Sequence, residues 1–272
     1  MILGVCTTID NYRAVAQLGY DFIELSGYEV AHMSEPEINE ATALLKRQGI
    51  PCLAINAYCR EELPIVGSGF NPDNIRIYAA LVSARAARLG AKTLGIGSPA
   101  ARQLPAGYSN ELADNQMRQF LSITAQEAAK HDLWVLYEPL NPHICQYGLS
   151  TAHGVDLVRS VGEANVGLVL DYHHMAITSE AMEDLGFAIP LTRHLHINHV
   201  GGDNRKHYMT ETDLPSAVNF LAAARRLGYR GTLSVEAECE DSGFAQDAGH
   251  TLQVLRKALK QIDATEPKEN ER

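Results

Sequence analysis

The chain has 272 residues and a formal charge of −10, from 33 acidic against 23 basic side chains, a balance that opposes nonspecific attraction to a nucleic-acid backbone or an anionic membrane surface. With 46% hydrophobic and 7% aromatic residues the composition is ordinary for a globular protein and excludes a need for disulfide or metal staples in folding. No apolar stretch approaches the roughly 20 residues of a membrane span and no basic-then-apolar leader opens the chain, so a cytoplasmic protein acting on a neutral or polyhydroxy small molecule is expected, with neither nucleic acid nor membrane as partner.

In chain order, a first apolar run near 2–6 is followed by a helical stretch near 9–18 that closes at Leu18-Gly19-Tyr20, and a strand near 21–26 (FIEL) that carries Glu24. A helix near 35–48 closes at Gly49-Ile50-Pro51 before a third strand near 52–57. The apolar spacing of Ile75, Tyr78, Leu81, Val82 and Leu89 predicts a helix near 72–89, which closes at Leu89-Gly90-Ala91 before a strand near 92–97. A helix near 110–131 leads to LWVLY and a strand near 133–138 ending in Glu138; a helix near 151–161 leads to VGLVL and a strand near 166–171 ending in Asp171. A helix near 176–185 precedes the strand near 194–198 that holds His196, and a helix near 213–227 closes at Leu227-Gly228-Tyr229 before the strand near 232–236 that ends in Glu236; a last helix covers 244–262. At each Gly joint glycine supplies the left-handed residue that ends a helix.

Eight strands alternating with helices, several of them almost wholly apolar, predict a single (β/α)8 TIM barrel over 1–262, with a frayed tail over 263–272 rich in Glu, Lys and Asn. The joins over 58–72 and 98–109 follow strand C-termini, the end of such a barrel that carries active sites, and are expected to wall or cover a substrate. Five scattered cysteines, Cys6, Cys52, Cys59, Cys145 and Cys239, form no C-x-x-C pair and read as reduced thiols. GIGS at 95–98 lacks the dinucleotide spacing and there is no P-loop, so nucleotide cofactors are not indicated.

The chemistry lies in what ends the apolar runs: Glu24, Glu138, Asp171, His196 and Glu236 all fall at one end of the expected barrel. Carboxylates converging with an imidazole repel one another unless a cation sits between them. Oxygen donors with a single nitrogen favour Mn(II) or Mg(II), with Co(II) or Zn(II) also compatible, and one such divalent ion is expected.

LYEPLN at 136–141, NVGLVLDYHHM at 165–175, HLHIN at 194–198, Arg205 and GYRGTLSVE at 228–236 resemble the sugar isomerase/epimerase barrels of the xylose isomerase-like superfamily. GYDFIEL at 19–25 and GSPAARQLPAGY at 97–108 extend the resemblance over nearly the whole chain. It implies that Glu138, Asp171, His196 and Glu236 ligate the metal, that His174 and Arg205 contact substrate oxygens, and that Glu138 and Glu236 face opposite sides of a substrate carbon, one removing a proton and the other returning one. The expected activity is metal-dependent isomerisation or epimerisation of a sugar or polyol through an enediolate. The alternative is a lyase or dehydratase on the same site, acting on an inosose, a dehydroshikimate-like compound or a 3-keto-glycoside. Barrels of this group often form a homo-oligomer, but no interface motif is visible. An apurinic-endonuclease activity, also found in the superfamily, is opposed by the acidic balance and by the sparse ligands on the early strands.

Two departures from the epimerase pattern stand out. Epimerases of the group often continue EPLN with Arg and place a substrate-binding Glu six residues after the first ligand, where this chain has Pro142, His143 and Ile144. His143 therefore becomes a candidate base or substrate contact. The loop HLHINHVGGDNR is two or three residues longer than usual before Arg205 and offers His199 and Asn198 as competing donors, while Glu24 is a further candidate substrate contact.

Overall fold

Each of the eight apolar runs becomes a strand of one parallel sheet, because residues apolar on both sides need cover on both sides. A computed structural model describes residues 1–238 and 243–265. The barrel strands are β1 (Ile2–Cys6), β2 (Phe22–Ser26), β3 (Cys52–Asn56), β4 (Thr93–Ile96), β5 (Trp134–Tyr137), β6 (Val166–Asp171), β7 (Thr192–Ile197) and β10 (Thr232–Val235); β8 (His199–Val200) and β9 (Lys206–His207) form a separate two-stranded hairpin. The sheet closes in the order β1-β10-β7-β6-β5-β4-β3-β2, with β1 paired in parallel to both β2 and β10. The fold is a single (β/α)8 TIM barrel, as the sequence predicts.

The main covering helices are α1 (Tyr12–Leu18), α3 (Glu35–Gln48), α4 (Pro72–Leu89), α5 (Asn110–Ala129), α6 (Thr151–Val161), α8 (Leu214–Arg226) and α9 (Phe244–Thr265). Their ends follow local chemistry. Ser34 and Glu37 make a reciprocal capping box at the start of α3, and Gly19, Gly49 and Gly90 end α1, α3 and α4 in the left-handed conformation. On α4 the buried stripe is Ile75, Ala79, Val82, Ala86 and Leu89, whereas Leu81, grouped with that face in the sequence, is 39% exposed. It sits one residue outside the stripe that reaches the barrel.

Two short helices depart from the sequence expectation. α2 (Gly27–His32) was not anticipated; it begins directly after β2, where the Ser26 hydroxyl accepts the Glu29 amide. The helix expected near 176–185 is instead α7 (Tyr172–Ile177), followed by 3-10 turns at Met182–Asp184 and Ile189–Leu191. The reason is Asp171, whose Oδ1 accepts the amides of His173 at 2.6 Å and His174 at 3.3 Å and so starts a helix at once after β6. At the C-terminus α9 continues to Thr265, past the expected start of fraying at 263, and residues 266–272 lie outside the described set. Among the described residues no helix is long and apolar enough to cross a membrane. Cys6, Cys52, Cys59 and Cys145 are free thiols, and Cys239 lies outside the described residues.

Candidate metal centre and cavity

A parallel barrel sets all eight strand C-termini at one end, and register then decides which neighbours meet. Asp171 on β6 is the direct partner of His196 on β7, and His196 is in turn the partner of Ser234 on β10, two residues before Glu236. Glu138 follows β5 immediately, as Glu236 follows β10. One donor atom from each of Glu138, Asp171, His196 and Glu236 lies within 4.8 Å of the others. His196 Nδ1 stands 3.0 Å from Glu236 Oε2, 3.5 Å from Glu138 Oε1 and 3.7 Å from Asp171 Oδ2.

The fit of this cage to a cation rests on its orphaned atoms. His196 Nδ1 and Glu138 Oε1 are buried without a hydrogen-bond partner, a costly state unless something else satisfies them. Behind the cage, Glu24 accepts from His196 Nε2 at 3.2 Å and from His194 Nε2 at 2.9 Å, while His194 Nδ1 meets the Thr232 hydroxyl at 2.7 Å. Since Glu24 takes the Nε2–H of His196, Nδ1 is the nitrogen that faces the three carboxylates, and it offers a lone pair to an ion once the ring gives up its second proton. Burial works against ionisation of Glu24, but His194 and His196 outweigh it and hold its carboxyl well below the usual range. Burial likewise disfavours the His196 cation, yet the Glu236 and Glu24 carboxylates hold its pKa well above the ordinary imidazole value.

The cation inside the cage is Lys206, a residue the sequence reading passed over. Its Nζ donates to Asp171 Oδ2 at 2.7 Å, contacts Glu236 Oε2 and lies 4.0 Å from Glu138 Oε1. Burial penalises the Lys206 ammonium, but Asp171, Glu236 and Glu138 more than compensate and raise its pKa. The remaining Glu236 oxygen, Oε1, accepts from Asn56 at 3.2 Å.

The cage opens into a cavity of about 410 Å³ walled by Asn56, Gly97, Pro99, Leu140, Ile144 and His174 among others, within the roughly 300–1,000 Å³ usual for small-molecule sites. A larger concavity of about 730 Å³ between Thr8–Arg13 and α3 contains none of the cage residues. His174 is buried, and its Nδ1 accepts from Asn141 Nδ2 at 2.8 Å, which leaves the proton on Nε2, 3.7 Å from Glu138 Oε1. Burial, and after it the Lys206 ammonium, bring the His174 pKa down to about 4, so the ring is a neutral donor near pH 7.

The other candidates from the sequence lie elsewhere. Glu24 sits behind His196 and makes its contacts there, away from the cavity wall. His143 is exposed, and it is Ile144 beside it that lines the cavity. His199 pairs with Asp213 at 2.6 Å. Arg205 forks onto Glu238 at 2.7 and 2.9 Å with its side chain 60% exposed, so it stands at the rim while its neighbour Lys206 points inward. Asn141 and Asn56 are further site residues that the sequence analysis does not single out: Asn141 lies within the LYEPLN motif, which could have pointed to it, whereas Asn56, at the end of β3, carries no comparable signal.

A family model described as the xylose isomerase-like TIM barrel matches residues 12–258. No curated protein matches the chain in sequence. Among solved structures, a D-psicose 3-epimerase crystallised with D-fructose is similar at TM-score 0.78 and 20% identity over 95% of this chain and 99% of that one. A D-psicose 3-epimerase from Clostridium cellulolyticum H10 with D-tagatose gives TM-score 0.78 at 19% identity, again over 95% and 99%. A 3-keto-D-glucoside 4-epimerase from E. coli gives 0.72 at 18% identity over 97% and 99%. At these identities the likeness establishes the shared fold.

Proposed function

Because the chain belongs to the xylose isomerase-like TIM barrel family, we propose that it is a divalent-metal-dependent epimerase or isomerase of a keto sugar or related polyol. The observation that carries the reading is the cage itself: three carboxylates and an imidazole converge at the strand ends, two of their donor atoms are orphaned, and the cage opens into a cavity of about 410 Å³. Two proteins of similar fold, a D-psicose 3-epimerase and a 3-keto-D-glucoside 4-epimerase, support the same substrate class.

Glu138, Asp171, His196 and Glu236 would hold the ion, with Mn(II) or Mg(II) favoured by the oxygen-rich donor set and Co(II) or Zn(II) compatible with it. When bound, such an ion supplies Lewis-acid stabilisation of the negative charge that develops beside a carbonyl when the neighbouring C–H is ionised. The protein's own groups do the proton work. Glu138 and Glu236 would face opposite sides of the substrate carbon, one carboxylate removing its hydrogen as a proton and the other delivering a proton to the opposite face. His174, neutral and presenting Nε2–H, donates to the oxygen that gains charge, and Asn141 fixes that tautomer. Asn56 orients Glu236 through Oε1. Arg205 at the rim is proposed to reach substrate groups that project from the cavity. A lyase on the same metal site would begin with the same proton abstraction and differ in what leaves afterwards; the version of it that uses His143 as the base is disfavoured, because His143 is exposed and off the cavity wall.

The test is metal analysis together with Glu138→Gln and Glu236→Gln, assayed on a panel of ketoses and keto-polyols in deuterated water. Both variants are expected to lose metal occupancy and to slow solvent-hydrogen exchange into substrate by ~10²–10⁴-fold. Wild-type turnover and exchange in both would overturn the assignment, and release of water or an aglycone would point to the lyase.

A further inference from the structure

We infer that Lys206 is a built-in occupant of the metal cage, and that its ammonium and a divalent ion hold the same carboxylates in alternation. This rests on the metal-site reading given above and adds a competitor to it. The Nζ of Lys206 lies 2.7 Å from Asp171 Oδ2, touches Glu236 Oε2 and is 4.0 Å from Glu138 Oε1. These are three of the four groups that would ligate the ion. First-row divalent ions take carboxylate oxygens at roughly 2.0–2.2 Å, so an ion on those oxygens would lie against the ammonium, and two like charges in so small a buried space exclude each other.

The chain provides a way out for the lysine. Lys206 sits on β9, a two-residue strand of the β8–β9 hairpin outside the barrel sheet, its carbonyl accepting the Glu238 amide at 2.8 Å. The barrel strands need not move when the side chain leaves, because its four-carbon stem swings about its own bonds. Ala237 and Glu238 line the adjoining cavity, so the freed ammonium would meet the Glu238 carboxylate, whose Oε2 already holds Arg205, at the same rim. In the unloaded state the lysine neutralises carboxylates that would otherwise repel one another; in the loaded state it becomes a cavity-wall cation facing substrate.

The measurements are Mn²⁺ affinity by calorimetry, the thermal midpoint of chelator-stripped protein, and amine acylation read by mass spectrometry. Lys206→Met and Lys206→Gln are expected to bind Mn²⁺ at least tenfold more tightly than wild type. Their stripped forms should melt roughly 5 °C lower, since removing one partner leaves buried charge uncompensated. In the wild-type protein, which needs no substitution to fold, Lys206 should resist acylation when stripped and become labelled as Mn²⁺ is added. Equal or weaker Mn²⁺ binding by both variants, or Lys206 labelling that ignores Mn²⁺, overturns the exchange while leaving the metal site standing. Failure of wild type and both variants to bind Mn²⁺ overturns the metal-site reading, and the exchange with it.

Discussion

Glu24 shows how a residue can govern a site without touching what the site binds. Its two oxygens take the Nε2–H of His194 and of His196, and only an acceptor-only group can serve both. Glu24→Gln puts an amide N–H against one of those rings, which must then flip or present the wrong nitrogen to the cage. The expected outcome is a 10–100-fold loss of metal affinity in a protein that still folds, measured by calorimetry beside circular dichroism. Unchanged affinity would show that His196 is held by its strand alone. The sequence reads Glu24 as a strand-end carboxylate, whereas it stands in the middle of β2 with its side chain turned to support His196. Its role follows from contacts across the barrel, 170 and 172 positions apart, which no local pattern encodes.

Elements decided what the sequence could and could not reveal. Barrel strands are apolar on both faces, so their ends stand out, and Glu138, Asp171, His196 and Glu236 were all found there. The β8–β9 hairpin has only two residues in each strand, too few for any periodicity. Adjacent strand residues point to opposite sides, so choosing between Arg205 and Lys206 means knowing that register, and resemblance alone pointed to Arg205. A second case is the junction of β4 and β5. A Cβ on Gly97 would fall 2.3 Å from Glu138 Oε2, so glycine there is what gives Glu138 its place. Gly97→Ala is expected to depress activity at least tenfold by displacing that carboxylate, with its effect largely non-additive to Glu138→Gln in a double-mutant cycle. Additive losses would mean that the two positions act independently. Asp171 joins two elements as well, capping α7 through Oδ1 and facing the cage through Oδ2. Asp171→Ala should therefore cost about 1 kcal/mol more stability than Asp171→Asn in denaturant unfolding, although both lose metal.

At the scale of the whole barrel the cage residues are unevenly spread. They come from β5, β6, β7 and β10, which are consecutive neighbours in the closed sheet, while β1 to β4 supply none of the four. An ion held there would tie one contiguous half of the barrel end together and leave the half that carries the long joins over 57–71 and 97–109 unstapled. Ligand that binds only the folded chain adds about 2.7 kcal/mol at a hundredfold excess over Kd, which for a chain of this size raises the melting midpoint by roughly 5 °C. The rise should reverse with chelator. Hydrogen exchange should show where it acts: added protection at the C-terminal ends of β5, β6, β7 and β10, with the ends of β2 and β3 little changed. Protection spread evenly round the barrel would mean that the ion acts through global stability alone, and a midpoint indifferent to Mn²⁺ would mean that the four groups do not share one.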